Sequence, residues 1–278
     1  MKKISALLIS CILIPACKNS YVSPIKFNNH GSTYDLAVEG GITTFQTSQQ
    51  IRLSKPGLLP DGKTSPVSNA LVSVNDGTDE IPFKETQTPG LYTGTITNNT
   101  NYDGVYTLHI TYNKVEYTAA DILSMVTPSI QLNNLPFSAR AISADQVQLK
   151  IPKHLFGAPT AARWIVIYDK SSITNLLNSF AVPYIYTHQL GAPNSLYSST
   201  QEFREPVLSL RDSITVYKFS LSESYSQYLY TLFQETDWKN IFSTNPSGIY
   251  GNISGTGQGY FYCTDYEMKK IAVKDLIK

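Results

Sequence analysis

Short alternating runs of apolar and polar residues dominate this sequence from residue 34 onward. The clearest run covers 105–112, where tyrosine, leucine and isoleucine alternate with threonine and histidine. Asn113-Lys114 ends that run, and a second alternating run begins at Val115. A period of two predicts strands with one buried face, and a two-residue polar connection predicts a hairpin. The chain is therefore expected to fold mainly into β-sheet.

Similar runs recur at roughly ten-residue spacing through the first part of the chain. They are separated by glycine, proline, asparagine and aspartate, which favour turns. The runs lie at 36–42, 51–53, 70–74, 81–83, 91–92, 105–112 and 115–117. This spacing predicts an immunoglobulin-like β-sandwich over residues 34–121. The composition agrees, because only 15% of residues are charged and the 19 tyrosines favour strands.

Residues 122–278 are predicted to form a second β-rich domain with one helix. Residues 164–168 are a nearly continuous apolar run, which predicts a strand buried on both faces. Aromatic and leucine residues over 225–233 recur at helical spacing, so a helix is expected near 222–235, with Ser220 or Ser222 as its cap. Further strand patterns lie at 147–151, 182–186, 208–210, 214–219 and 260–262.

The chain begins with the pattern of a signal peptide. Two lysines at positions 2 and 3 precede an uncharged, mostly aliphatic run over 4–14. That length suits the apolar region of a signal peptide and is too short to cross a membrane as a helix. Residues 14–16, Ile-Pro-Ala, then lead to Cys17 in an order that resembles a lipobox. We predict a signal peptide over 1–16 and cleavage before Cys17, with a plain signal peptide or an uncleaved anchor as the alternative.

Cys17 is the predicted site of lipidation. Its thiol would carry diacylglycerol, and a further acyl chain such as palmitate on its amine would complete a stable anchor in the lipid bilayer. Cys11 also follows a lipobox-like tripeptide, but cleavage there would leave an apolar region of only about six residues. Residues 17–33 are expected to form a polar tether. Cys263 would then have no partner for an intrachain disulfide.

Residues that could carry chemistry are sparse in the sequence. The spacing of His30, His109, His154 and His188 matches no histidine metal motif, and no Gly-x-Ser-x-Gly element marks a catalytic serine. A Ser-His-Asp triad assembled from distant residues stays open. A net charge of +1 without a basic cluster argues against nucleic acid as a partner. We therefore predict no catalytic residue, no metal site and no cofactor.

Two loops allow a binding interpretation beside a structural one. The Gly-Thr-Gly-Gln-Gly segment over 255–259 resembles a phosphate loop, but it leads into a predicted strand, which favours a tight turn. Asp76, Asp79 and Glu80 offer oxygen ligands for calcium, although a solvated turn explains them as well.

The tyrosines suggest a carbohydrate-binding alternative, because sugars stack on exposed aromatic rings. Most of them, however, lie at alternating strand positions or on the apolar face of the expected helix. At such positions a tyrosine packs its ring and keeps its hydroxyl in a polar contact. Only a cluster on one exposed face would favour a binding site.

The order of several short motifs resembles one known family. Beside the lipobox, these motifs are Leu-Ala-Val-Glu-Gly-Gly-Ile over 36–42, Pro-Val-Ser-Asn-Ala over 66–70, Ser-Glu-Ser-Tyr over 222–225, and the Asn-Pro, Gly-Asn-Ile and Gly-Tyr-Phe elements within 245–261. They resemble the domain-of-unknown-function 4249 lipoproteins of Bacteroidota. Residues 66–74 and 89–92 also resemble the small sandwich that is a regulatory module in carboxypeptidases.

The family resemblance implies a location and a role. It implies an outer-membrane lipoprotein of the cell envelope that works beside TonB-dependent receptors, and no enzymatic activity. The first hypothesis is therefore a non-enzymatic accessory to such a transport system. A glycan- or peptide-binding surface lipoprotein that uses exposed aromatic side chains is the alternative. An enzyme would need a pocket with converging titratable groups.

Overall fold

The computed structural model describes residues 34–55, 64–97, 101–156, 161–169, 173, 184–188, 203–236, 249 and 251–277. The predicted signal peptide, Cys11, Cys17 and the tether lie outside these residues, and so does His30. The side chains of His154 and His188 are also outside the described set.

The N-terminal part of the chain forms eight strands. They are β1 (Leu36–Thr43), β2 (Ser48–Lys55), β3 (Ser65–Pro66), β4 (Leu71–Asn75), β5 (Glu80–Glu85), β6 (Leu91–Thr95), β7 (Val105–Tyr112) and β8 (Val115–Ile122). The hairpin between β7 and β8 is confirmed, with Asn113 and Lys114 at φ values of 50° and 66°. Two consecutive positive φ values are typical of the turn that matches the twist of hairpin strands.

These strands pack as two layers around one core. Strand β5 pairs with β4 on one side and with β6 on the other, so it connects the two layers. Apolar side chains at alternating positions of β1, β2, β4, β6, β7 and β8 form a shared core. Tyr92 is buried there, and its hydroxyl donates to the Val67 carbonyl and accepts from the Ala70 amide, both at 3.0 Å. These two bonds hold the 66–70 segment against the sandwich.

The remaining elements follow in the second half of the chain. They are β9 (Ser138–Ala141), β10 (Gln146–Pro152), β11 (His154–Phe156), β12 (Ala162–Ile167), β13 (Tyr184–His188), β14 (Phe203–Arg204), β15 (Val207–Ser209), β16 (Ser213–Ser220), α1 (Glu223–Thr236), β17 (Gly257–Thr264), β18 (Tyr266–Ala272) and a 3-10 helix (Val273–Ile277). One sheet has the strand order β11-β13-β12-β16-β18, and another joins β14, β10 and β15 with β9 paired to β10.

Strand β12 is buried at every position, which confirms the prediction for this apolar run. Its alternate side chains enter two different cores. Trp164 and Val166 pack with β10 and the first half of β16, whereas Ile165 and Ile167 pack with the end of β16 and with α1. The sheet therefore lies between β10 and the helix.

Strand β17 connects the two parts of the chain. It pairs in parallel with β1, from Leu36 opposite Gly257 to Thr43 opposite Thr264. After a single residue, Asp265, the chain continues as β18 and pairs with β16 in the other sheet. The predicted division at residue 121 places β17 in the second domain, whereas in the structure it completes the first sheet. Residues 31–278 group into one compact unit.

The two faces of β17 have different neighbours. Phe261 and Cys263 face the sandwich core, whereas Tyr260 and Tyr262 face α1. Gly41, opposite Tyr262, is required by this packing, because a Cβ there would lie 2.0 Å from the Tyr262 carbonyl oxygen and 2.6 Å from its ring. The Gly-Gly pair in β1 therefore allows β17 and its tyrosine to approach closely.

The predicted helix near 222–235 is confirmed as α1. Ser222 is the cap, since its Oγ accepts a hydrogen bond from the Tyr225 amide at 3.1 Å. Tyr225 and Leu229, one turn apart, are buried against β17 and β16. Among the described residues, no helix has the length and apolar character needed to cross a membrane. The prediction of a mainly β fold with an N-terminal immunoglobulin-like sandwich and one helix is confirmed.

Candidate functional site

The described residues contain one region where several elements meet, which we call the junction. It consists of the end of β8, the linker over 123–131, the end of β16, the start of α1, and Asp265 between β17 and β18. The junction buries polar as well as apolar side chains, and several of the polar ones bond to segments that are distant in the sequence.

Asp265 connects several segments at the centre of the junction. Its carboxylate accepts from Thr44 Oγ1 at 2.5 Å and from the Val126 amide at 2.9 Å. Its own amide donates to Ser220 Oγ at 2.8 Å, and Ser220 Oγ donates to the Ser124 carbonyl at 2.6 Å. The turn after β1, the linker and β16 are therefore all fixed to the residue that separates β17 from β18.

The linker is fixed a second time by charged side chains of β16 and β18. Lys218 Nζ donates to the Thr127 carbonyl at 2.8 Å and to Ser129 Oγ at 2.7 Å. Glu267, opposite Lys218 on β18, accepts from the amides of Ser129 and Ile130 at 2.8 and 3.2 Å. Lys218 also lies over the Trp164 ring, with Nζ 5.5 Å from the ring centroid.

Asp121 is the most perturbed carboxyl of the junction. Burial raises its pKa to about 6, although hydrogen bonds from Ser222, the Cys263 amide and Ser224 act in the opposite direction. The Cys263 amide lies 2.8 Å from Oδ2. A carboxyl that titrates near neutral pH is a chemical candidate for a general acid or base. Here its partners are the cap of α1 and the backbone of β17, so it holds those two elements together.

Four tyrosines stack where α1 covers β17. The Tyr225 ring lies 4.9 Å from Tyr260 and 5.0 Å from Tyr262, with interplanar angles of 27° and 14°. Tyr228 lies 4.9 Å from Tyr260, and the Tyr260 hydroxyl donates to Ser224 Oγ at 2.7 Å. Burial raises the pKa of Tyr228 and of Tyr260 to about 12. These rings are therefore a packed core contact and not an exposed platform.

A cleft opens at the junction between the linker, β16 and the start of α1. Its volume is about 210 Å³. We call it the junction cleft, and it is lined by Ser124, Met125, Val126, Thr127, Ala161, Lys218, Ser220, Leu221, Glu223 and Ser226. Lys218, Ser220, Leu221 and Ser226 are buried, whereas Met125 and Glu223 are exposed.

The loops singled out in the sequence have structural roles. Asp76 Oδ1 accepts from the amides of Thr78 and Asp79, and Glu80 contacts Ser73 and His109. In the described part of the chain, no three His, Cys, Asp or Glu side chains are grouped as metal ligands. The glycine segment begins as a turn at Gly255, where φ is 67°, as the turn interpretation predicts; it continues as the start of β17, in which Gly259 has a φ of 109°.

Most described tyrosines are buried or half-buried. Tyr34 is the one described tyrosine that is exposed, at 38%. The prediction that tyrosines serve the core is confirmed for Tyr92, Tyr106, Tyr117, Tyr225, Tyr260 and Tyr262, each of which is buried.

Sequence reasoning missed Asp121 and Lys218, although a signal for both exists. Each occupies a position in the inward phase of an alternating strand, after Tyr117 and Ala119 in β8 and after Ile214 and Val216 in β16. A charged residue at a position that the pattern assigns to the core needs a buried partner. That partner comes from segments far away in the chain, which the local pattern does not reveal.

Comparisons with known proteins identify the family. A family model described as Domain of unknown function (DUF4249) matches residues 22–270. No curated protein matches the chain. Among solved structures, the FN1-FN3 domains of chicken CNTN1 are similar at 9% sequence identity with a TM-score of 0.23, over 70% of this chain. This chain spans 64% of the length of that one. Because the family model covers most of the sequence, the chain belongs to the DUF4249 family.

Proposed function

We propose that this protein is a membrane-anchored, non-enzymatic lipoprotein of the cell envelope, and an accessory to a TonB-dependent transport system of the outer membrane. The observation that carries the proposal is the sequence over 2–17, where two lysines and an aliphatic run lead to Ile-Pro-Ala and Cys17. Lipid on the Cys17 thiol and amine would provide the two hydrophobic attachments that stable anchoring requires.

The role of the junction supports an accessory function. Its charged side chains Asp121, Lys218 and Asp265, together with Glu267 of the adjoining β18, all bond to backbone or hydroxyl groups of neighbouring segments. Such bonds hold the sandwich, the linker and the second sheet in one arrangement. A rigid scaffold on a lipid anchor suits a protein that presents a surface to a membrane partner.

Exposed apolar side chains give that surface a candidate location. Val105 and Ile122 lie directly opposite each other on β7 and β8, and both are exposed. Met125, three residues further along the chain, is 61% exposed. Neighbouring exposed apolar groups favour contact with another protein.

The anchor is tested by fractionation of cells that express the protein with Cys17→Ser. We expect the variant to leave the membrane fraction, whereas Cys11→Ser, a matched change inside the signal peptide, should leave the distribution unchanged. Retention of the Cys17→Ser variant in the membrane would contradict the anchor.

The accessory role is tested by crosslinking and purification of the lipidated protein, which should recover a β-barrel receptor. Repeated failure to recover one would contradict the accessory role.

A glycan- or peptide-binding lipoprotein that uses exposed aromatic side chains is the second candidate. Its glycan form needs an aromatic platform, and the described residues offer two exposed aromatic rings, Tyr34 and Phe203, of which Phe203 already lies under Lys150 Nζ at 4.1 Å. We therefore favour the accessory function. Binding of the purified protein to a glycan array, abolished by Tyr34→Ala, would reverse that preference.

A further inference from the structure

Lys218 places a positive charge in the wall of the junction cleft. The residue is only 5% exposed, and its two hydrogen bonds, to Thr127 and Ser129, account for two of its three N–H donors. Among the described residues, no acidic side chain forms an ion pair with Lys218. Its cross-strand neighbour Glu267 is bonded to the amides of Ser129 and Ile130 instead.

A buried ammonium group without a direct counter-ion is unfavourable. Burial lowers the pKa of Lys218, and the charge of Glu267 offsets this only in part. An anion that entered the cleft would contact the ammonium group where little water competes with it. Charge-assisted hydrogen bonds are short and strong in such surroundings.

The other walls of the cleft restrict the rest of the ligand. Val126, Leu221 and Ala161 offer apolar contacts, and Ser124, Ser220 and Ser226 supply hydroxyl groups. A volume of about 210 Å³ is below the range of about 300–1,000 Å³ for drug-sized ligands, so the occupant is small. Glu223 is exposed at the cleft, and its carboxylate would repel a second negative charge.

We propose that the junction cleft binds a small monocarboxylate with a short aliphatic chain. The carboxylate accepts from Lys218, and the chain packs against Val126 and Leu221. An acylated amino acid and the C-terminus of a peptide share this chemistry. The inference depends neither on the lipid anchor nor on a receptor, so its failure would leave the proposed function intact.

Calorimetric titration of the purified full-length protein tests the charge requirement. The probes are N-acetyl-L-leucine and its uncharged amide, together with ten-residue peptides that end in leucine, either free or amidated. We expect each acid to bind at least about tenfold more tightly than its amide, since the amide lacks the charge that Lys218 recognises. Equal binding of acid and amide, or no binding of either acid, would overturn the proposal.

The pattern of acid binding also identifies the source of the ligand. Binding of N-acetyl-L-leucine at the affinity of the free peptide assigns the site to small molecules. Clearly tighter binding of the peptide assigns it to a C-terminus. Both results support carboxylate recognition.

Two lysines provide a matched pair of variants. Lys269 Nζ, like Lys218 Nζ, donates to a linker carbonyl, that of Ile130 at 3.0 Å, but Lys269 does not line the cleft. Lys218→Met should weaken acid binding at least about tenfold, whereas Lys269→Met should leave it within about twofold. An equal loss of acid binding in both variants would overturn the proposal, because the order of the linker and not the charge of Lys218 would then govern binding.

A cleft-filling variant keeps the test valid if Lys218→Met does not fold. Thr127 is exposed at the cleft, so Thr127→Trp should block the cavity while Lys218 stays in place. We expect loss of acid binding with little change in melting temperature. Undiminished acid binding in a folded Thr127→Trp variant would overturn the assignment to this cleft.

Discussion

The buried carboxyl of Asp121 makes the stability of the folded chain depend on pH. Its pKa is raised by burial from 3.8 to about 6, so the folded state binds this proton more tightly than the unfolded state. The resulting stabilisation is fully present below the pKa that the carboxyl has in the unfolded state. It is lost as the pH rises through the folded-state pKa of about 6. By thermodynamic linkage, this pKa shift corresponds to a total loss of about 3 kcal/mol in the free energy of unfolding.

Asp121→Asn should remove this pH dependence and keep the acceptor for the Cys263 amide. Between pH 4 and pH 7, we expect the wild type to lose about 2 kcal/mol more unfolding free energy than the variant. Urea denaturation at the two pH values measures the difference. Asp79→Asn, at an exposed position, is the control and should follow the wild type. Identical losses in the wild type and in Asp121→Asn would contradict the role assigned to Asp121.

The pairing of β1 with β17 depends on the glycine at position 41. A methyl group there would meet the Tyr262 carbonyl at 2.0 Å, and backbone cannot move aside as a flexible side chain can. Gly41→Ala should therefore lower the unfolding free energy by about 3 kcal/mol or more. At Gly255, φ is positive, at 67°, but a Cβ would meet nothing within 4 Å. Gly255→Ala should cost only about 1 kcal/mol. Chemical denaturation of both variants gives the comparison, and equal losses would contradict this account of β17.

Individual elements were predictable from the sequence wherever the pattern is local. The β7–β8 hairpin follows from its alternation and its Asn-Lys turn, and α1 follows from apolar spacing and a serine cap. Strand β18 was missed, because its outward positions carry lysine and glutamate in place of a clear alternation. The pairing of β17 with β1 joins residues more than two hundred positions apart, and no local pattern encodes such a partner.

The candidate site, too, depends on contacts between distant segments that local sequence patterns do not encode. Asp121 and Lys218 stand out as charges in the inward phase of strands, but their partners come from α1, β17 and the linker. The junction cleft exists only once those segments have met. Cys17 could be proposed from sequence alone because a lipobox is a contiguous signal.

At the scale of the whole molecule, the sandwich is not independent of the C-terminal part. Strand β17 supplies Phe261 and Cys263 to the sandwich core and pairs with β1 along its whole length. A fragment that covers residues 34–121 lacks this strand and exposes the edge of β1. We expect such a fragment to show no cooperative unfolding transition by circular dichroism, whereas residues 34–278 should show one. A cooperative transition in the short fragment would contradict this dependence.

The lipid anchor at Cys17 is the central claim about what the protein does. Mass spectrometry of the N-terminal peptide, from protein purified out of the membranes of an expressing bacterium, tests it most directly. The account predicts a peptide that begins at Cys17, lacks residues 1–16, and carries diacylglycerol and a further acyl chain. An unmodified peptide, or one that begins at any other residue, would contradict it.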